Sequence, residues 1–129
     1  MSSSWDTDAA QRGRDLREQI FGAEGMKSLV EADDFTLPLQ DMVTRTCFGE
    51  VWSRPGLPLK IRSMLTIAIL VGQSRPAQLR NHVKGAIANG VTKEEIREIL
   101  LHATLYAGLP AGADSWREAA AALREIDAY

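Results

Sequence analysis

The sequence predicts an all-α protein, a single domain of about six helices. Three observations predict it. Strand signals are nearly absent, with no sustained apolar–polar alternation and no Asn-Gly or Asp-Gly hairpin between β-branched runs. Apolar residues instead recur at threes and fours through most of the chain. The breaks between these stretches, "GAEG", "SRPGLP", "GQSRP" and "LPAGAD", are rich in proline and glycine and too short to separate domains.

The first helix is expected from Asp6 to about Ile20, charged, with Leu16 and Ile20 on one face. "GAEG" ends it, and a short helix is expected near Met26 to Glu31. Residues 1–35 then form an N-terminal helical arm and residues 36–129 the core of one domain spanning 1–129. The next helix runs from Thr36 to about Trp52, with Leu39, Met42, Val43, Thr46, Cys47 and Val51 on its inward face. "SRPGLP" stops it, since two prolines and a glycine make a rigid connection. Leu59 to Val71, "LKIRSMLTIAILV", is apolar on nearly all sides after its first turn. Such a helix is central or lies in a subunit interface, and homo-oligomerisation covers the surplus in a chain this small.

Pro76 fits the first turn of the following helix, where its missing N–H costs nothing, and Gly90 supplies the stop after about Asn89. Thr92 with Glu95 three residues on reads as a capping box. The helix it opens has Ile96, Ile99, Leu100, Ala103 and Tyr106 inward. After "LPAGAD", Asp114 or Ser115 is expected to cap an alanine-rich helix to about Asp127.

The bulk properties narrow the function classes. The 129 residues are 45% apolar and 25% charged, ordinary for a globular domain, and a net charge of -2 gives no global field for nucleic acid or membrane. One cysteine, Cys47, makes no internal disulfide and fits a reducing compartment. "MSSSWDTDAA" lacks the basic and apolar regions of a secretory leader, and no apolar run is long enough for a bilayer, so a cytoplasmic protein is expected. Two distant histidines and one cysteine give no metal-ligand spacing, and no glycine-rich phosphate loop or nucleophile elbow is present. No metal and no cofactor are expected.

The charge is unevenly spread. Between Arg45 and Lys84 stand seven basic residues and one acid, Glu50. Such a window either attracts a small anion or pairs with acids elsewhere. Within it, His82 lies on the face of Leu79, Val83 and Ala86, as a packed core group or as an acid–base group beside a crevice. Arg62 interrupts the apolar helix, where a guanidinium needs an anion, either a protein carboxylate or a substrate's. Glu50 is a proton shuttle or the ion-pair partner of Arg54 or Arg62. Trp52 and Phe48 flank it and either wall a pocket or pack. His102 and Tyr106, one turn apart, can form a hydrogen-bonded pair.

Three stretches, "RPGLPLKIRSMLTIAIL", "LRNHVKGAIANGVTKEEIREIL" and "YAGLPAG", closely resemble the carboxymuconolactone decarboxylase family, over roughly Thr44 to Trp116. The resemblance implies an alkylhydroperoxidase-like helical fold and a homotrimer or homohexamer. The family's redox branch carries a CxxC pair, which would fall here at Arg75 and Gln78; neither is a thiol, and thiol–disulfide exchange needs one. The decarboxylase branch is implied instead. It acts without cofactor on 4-carboxymuconolactone, a small anionic lactone, and yields β-ketoadipate enol-lactone in aromatic catabolism. On that resemblance His82 moves a proton or holds the lactone oxygen, Arg62 binds a carboxylate or the developing oxyanion, and Glu50 orients one of them. Arg45, Arg54 and Trp52 are the expected substrate-binding residues. Another small lactone or acid as substrate, a non-catalytic anion-binding oligomer and a peroxidase are the competing readings.

Overall fold

The computed structural model describes residues 6–129, which contain helices and no strand. In chain order these are α1 (Asp6–Val30), α2 (Leu37–Met42), a π-helix (Val43–Trp52), α3 (Leu59–Gly72), α4 (Pro76–Ala88), α5 (Lys93–Ala107) and α6 (Leu109–Glu125). The expected all-helical class therefore holds. The leading "MSSSW" of the stretch read as lacking a leader lies outside the described residues. The chain forms two compact units, divided between Leu57 and Pro58.

The first unit contains α1, α2 and the π-helix. Gly22 adopts φ 68 and ψ −169, a backbone conformation reserved for glycine, so α1 is two helical stretches that meet at a break inside "GAEG", as expected, the second running to Val30. α1 and the π-helix pack backbone to backbone, because a Cβ at Gly13 would overlap the Thr44 carbonyl and one at Gly49 the Ala9 carbonyl. Phe21 meets Phe48 edge-on at 5.6 Å, and Phe48 meets Trp52 at 5.3 Å.

The inward face predicted for residues 36–52 is wrong. Thr44, Phe48, Gly49 and Trp52 are buried, whereas Leu39, Met42 and Val51 are exposed and α2 buries nothing. The prediction assumed an α-helical period throughout. From Val43 onward the hydrogen bonds run with a five-residue offset, so each turn holds more residues and a different face points inward there, while Leu39 and Met42 lie before it on the short α2 that buries nothing.

The second unit is a four-helix ring in which α3 packs on α4 and α5, and α6 closes against α4 and α5. Ile67, Val71, Leu79, Val83, Ile96 and Leu100 are fully or almost fully buried at its centre. The ends follow local chemistry. Pro76 opens α4, Gly90 turns at φ 91, and the Thr92–Glu95 capping box forms with bonds of 2.9 and 3.0 Å.

Three expectations are corrected here. Of the two places expected for α3, the centre is not the one it takes within this chain, since only Ser63, Ile67 and Val71 are buried, and the outward Leu65 and Ile69 leave the interface alternative open. Tyr106 is 78% exposed: the inward stripe of α5 runs Ile96, Leu100, Ala103 and on to Ala107, and Tyr106 lies one residue, about 100°, off it. α6 starts at Leu109 rather than near Asp114, because Gly108 at φ 105 makes the whole turn and Pro110 fits the first helical turn. No helix among the described residues is long and apolar enough to cross a membrane.

Candidate functional site

Leu79, Val83 and Ala86 anchor α4 in the core, and this sets His82 at the edge of the buried stripe. The imidazole keeps some exposure, yet burial pushes its pKa down from 6.5 to about 4. His82 is therefore neutral near pH 7 and presents one N–H donor and one acceptor nitrogen. Arg62 stands half-buried in the second turn of the neighbouring α3. Beside it, the buried Ser63 hydroxyl accepts a 2.9 Å bond from Asn89 Nδ2 at the end of α4, fixing α3 against α4. These two of the expected site residues thus lie on adjoining helices of the second unit.

The other four lie in the first unit, on the π-helix or just beyond it. Arg45 holds Asp41 at 2.7 Å, and Glu50 is half-buried. Trp52 is buried against Phe48, and Arg54 is exposed past the helix end. Cys47, on the same helix, is half-buried. Burial pushes its thiol pKa up, outweighing the downward pull of the Arg17 charge and a hydrogen bond from Trp52. The thiol stays protonated at neutral pH, which suits packing rather than nucleophilic chemistry.

The basic window is partly neutralised. Lys60 pairs with Glu95 at 3.1 Å, Arg80 with Glu118 at 3.1 Å and Glu125 at 3.0 Å, and Lys84 with Glu125 at 2.7 Å. With Arg45, four of its seven basic side chains meet acids outside the window. Hydrogen bonds from Arg80 and then Lys84 hold Glu125 down to about 2.

Two features escaped sequence reasoning. One is Arg17, a buried guanidinium whose partners are distant in sequence. The other is an open groove of about 530 Å³ between α3 and α5, floored by Ile61, Met64, Leu65, Ala68 and Ile99. Glu94, Glu98 and His102 also line it, and neither His82 nor Arg62 does. An apolar floor with carboxylates beside it repels a small dianion, so the groove is a poor place for anion chemistry.

The sequence matches the family model described as "Carboxymuconolactone decarboxylase family" over residues 38–124. It is 43% identical over 107 residues to the 4-carboxymuconolactone decarboxylase of Acinetobacter baylyi, covering 82% of this chain and 80% of that one. It is 42% identical over 116 residues to the nitrosuccinic acid decarboxylase of Metarhizium robertsii, covering 85% of this chain and 81% of the relative. The matched region takes in α3 to α5, the π-helix and nearly all of α6. With its sequence motifs, its helical architecture and these likenesses in agreement, the chain belongs to the carboxymuconolactone decarboxylase family.

Proposed function

We propose that the protein is a cofactor-free carboxy-lyase that converts 4-carboxymuconolactone to β-ketoadipate enol-lactone, in the cytoplasm, during breakdown of aromatic compounds. The observation that carries this reading is the 43% identity to a decarboxylase of that name along four-fifths of both chains. In the reaction the bond to the leaving carboxylate breaks and CO2 departs. Its electron pair enters the ring and reaches the lactone carbonyl oxygen as a dienolate. A proton then adds at ring carbon.

The low pKa of His82 supports the second of its two expected roles, holding the lactone oxygen. An imidazolium donor would make up about a thousandth of the population at pH 7. The neutral ring instead donates its N–H to the oxygen where charge develops, worth about 3–4 kcal/mol for one well-placed donor. The proton that ends on carbon then comes from water. Arg62 clasps a substrate carboxylate through its planar fork. Arg45 and Arg54 are the proposed holders of a second carboxylate, Arg45 from its ion pair with Asp41. Glu50 and Trp52 remain proposed contributors, each tested by its own substitution.

A homotrimer or homohexamer is part of the proposal. The outward Leu65 and Ile69 of α3 and Leu101 and Leu105 of α5 support it, since apolar residues flanking the groove gain by meeting another copy.

The test is purified protein with 4-carboxymuconolactone, following CO2 release and lactone absorbance. Absence of turnover by a folded protein rejects the proposal. A second reading, nitrosuccinate as substrate, is favoured by the comparable identity to the Metarhizium robertsii enzyme. In both compounds the leaving carboxylate adjoins an electron sink ending in oxygen. Running both substrates side by side decides between them.

A further inference from the structure

Arg17 is 7% exposed and meets no carboxylate among the described residues. Burying a guanidinium this way costs several kcal/mol that a leucine or methionine would avoid. The side chain directs its donors to three different segments. Nε donates to the Gly25 carbonyl beyond the α1 kink at 3.2 Å. One terminal nitrogen donates to Gln40 Oε1 on α2 at 2.8 Å, and the other to Thr44 Oγ1 on the π-helix at 3.1 Å.

Gln40 and Thr44 stand on opposite sides of the point, between Met42 and Val43, where the α-helix gives way to the π-helix. Residues 36–52 also carry an intact α-helical amphipathic pattern in Leu39, Met42, Val43, Thr46, Cys47 and Val51. The same segment can thus be wound in two ways. Each residue of an α-helix turns by about 100°, so rewinding would redirect every side chain after Val43. α1 crosses the π-helix at Gly13 and Gly49, where each glycine lies against a backbone carbonyl of the other element, so the crossing is close in the π form.

We propose that Arg17 is a positioning residue: its fork selects the π winding of residues 43–52 over the competing α winding and so sets the directions of Arg45 and Glu50. The link to catalysis rests on the decarboxylase reading above, whereas the winding itself does not. The chain supplies its own reporter, since Cys47 is its only cysteine and sits on the segment that would rewind.

The experiment compares wild type with Arg17→Met, which removes charge and fork, and Arg17→Lys, which keeps the charge and loses the fork. Thr44→Val keeps Arg17 and removes the acceptor on the π side. Three quantities are read: helical circular dichroism, the rate at which an aromatic disulfide reagent labels Cys47, and kcat and KM on 4-carboxymuconolactone. With helix content unchanged, both Arg17 variants should label at rates altered by about tenfold. Their kcat/KM should fall about 10²-fold, as for a misplaced catalytic constellation. Thr44→Val should move both quantities the same way by less, and it settles the question where the Arg17 variants fail to fold. Loss of stability alone lowers the melting temperature and leaves labelling and kcat/KM at 25 °C unmoved. That pattern overturns the proposal. Where wild type fails to turn the lactone over, the decarboxylase reading falls, and Cys47 labelling still decides the winding.

Discussion

Protonating His82 should cost the fold stability in a defined pH window. Burial holds its pKa at about 4 in the folded chain, against 6.5 when exposed. The unfolded chain therefore binds the proton first as pH falls. The stabilisation is complete above about pH 6.5, declines as pH drops, and is gone below about pH 4. The fall from 6.5 to about 4 corresponds to about 3 kcal/mol. Glu125, lowered to about 2 from 4.5, acts in a separate window: its contribution is present above pH 4.5 and is lost as pH falls toward 2. Urea unfolding at intervals from pH 8 to pH 4 should show wild type losing about 3 kcal/mol more than His82→Gln, with the difference developing between pH 6.5 and pH 4. The imidazole proton resonance that vanishes in His82→Gln should titrate near pH 4. A midpoint near 6.5, or parallel stability curves for the two proteins, would refute the reasoning, and with it the neutral-imidazole role in catalysis.

Gly49→Ala should destabilise the chain by about 3 kcal/mol or prevent folding, because its methyl meets the Ala9 backbone carbonyl rather than a yielding side chain; a thermal melt reads this. Gly112→Ala pushes a methyl into the Thr104 side chain and should cost about 1–3 kcal/mol. Adding Thr104→Ala should return much of that loss, and strict additivity in the double-mutant cycle would refute the contact. Thr92→Ala removes one half of the capping box and should cost about 1 kcal/mol in urea unfolding. Leu105→Glu, on the outward face of α5, should lower the oligomeric state by light scattering while preserving the helical spectrum.

Features decided by neighbours in sequence were legible. Pro76, Gly90 and the Thr92–Glu95 pair marked helix ends because each acts within a few residues. His82 could be placed beside buried Leu79 and Val83 for the same reason, although its depressed pKa depends on helices that arrive from elsewhere. The π-helix was not legible. Its apolar residues fit an α period, and the interactions that favour the other winding come from Gly13 and Arg17 on α1, about thirty residues earlier. Arg17 itself reads as one more charge on a charged helix until Gln40 and Thr44 are seen around it. Charge counting was misleading for a similar reason. Glu118 and Glu125 lie far along the chain from the Arg80 and Lys84 they neutralise.

The single residue between α5 and α6 bears on the order of assembly. With Gly108 alone forming the turn, and only residues 73–75 between α3 and α4, the second unit consists of two helical hairpins. Bringing partners together across so short a connection requires little loop closure, so each hairpin forms early and on its own. The slower event is then the meeting of the two, when Leu79 and Val83 from one join Ile96 and Leu100 from the other. Newly made chains should accordingly pass through a stage with helical hairpins present and their apolar faces still exposed, and that interval is when they are most open to aggregation.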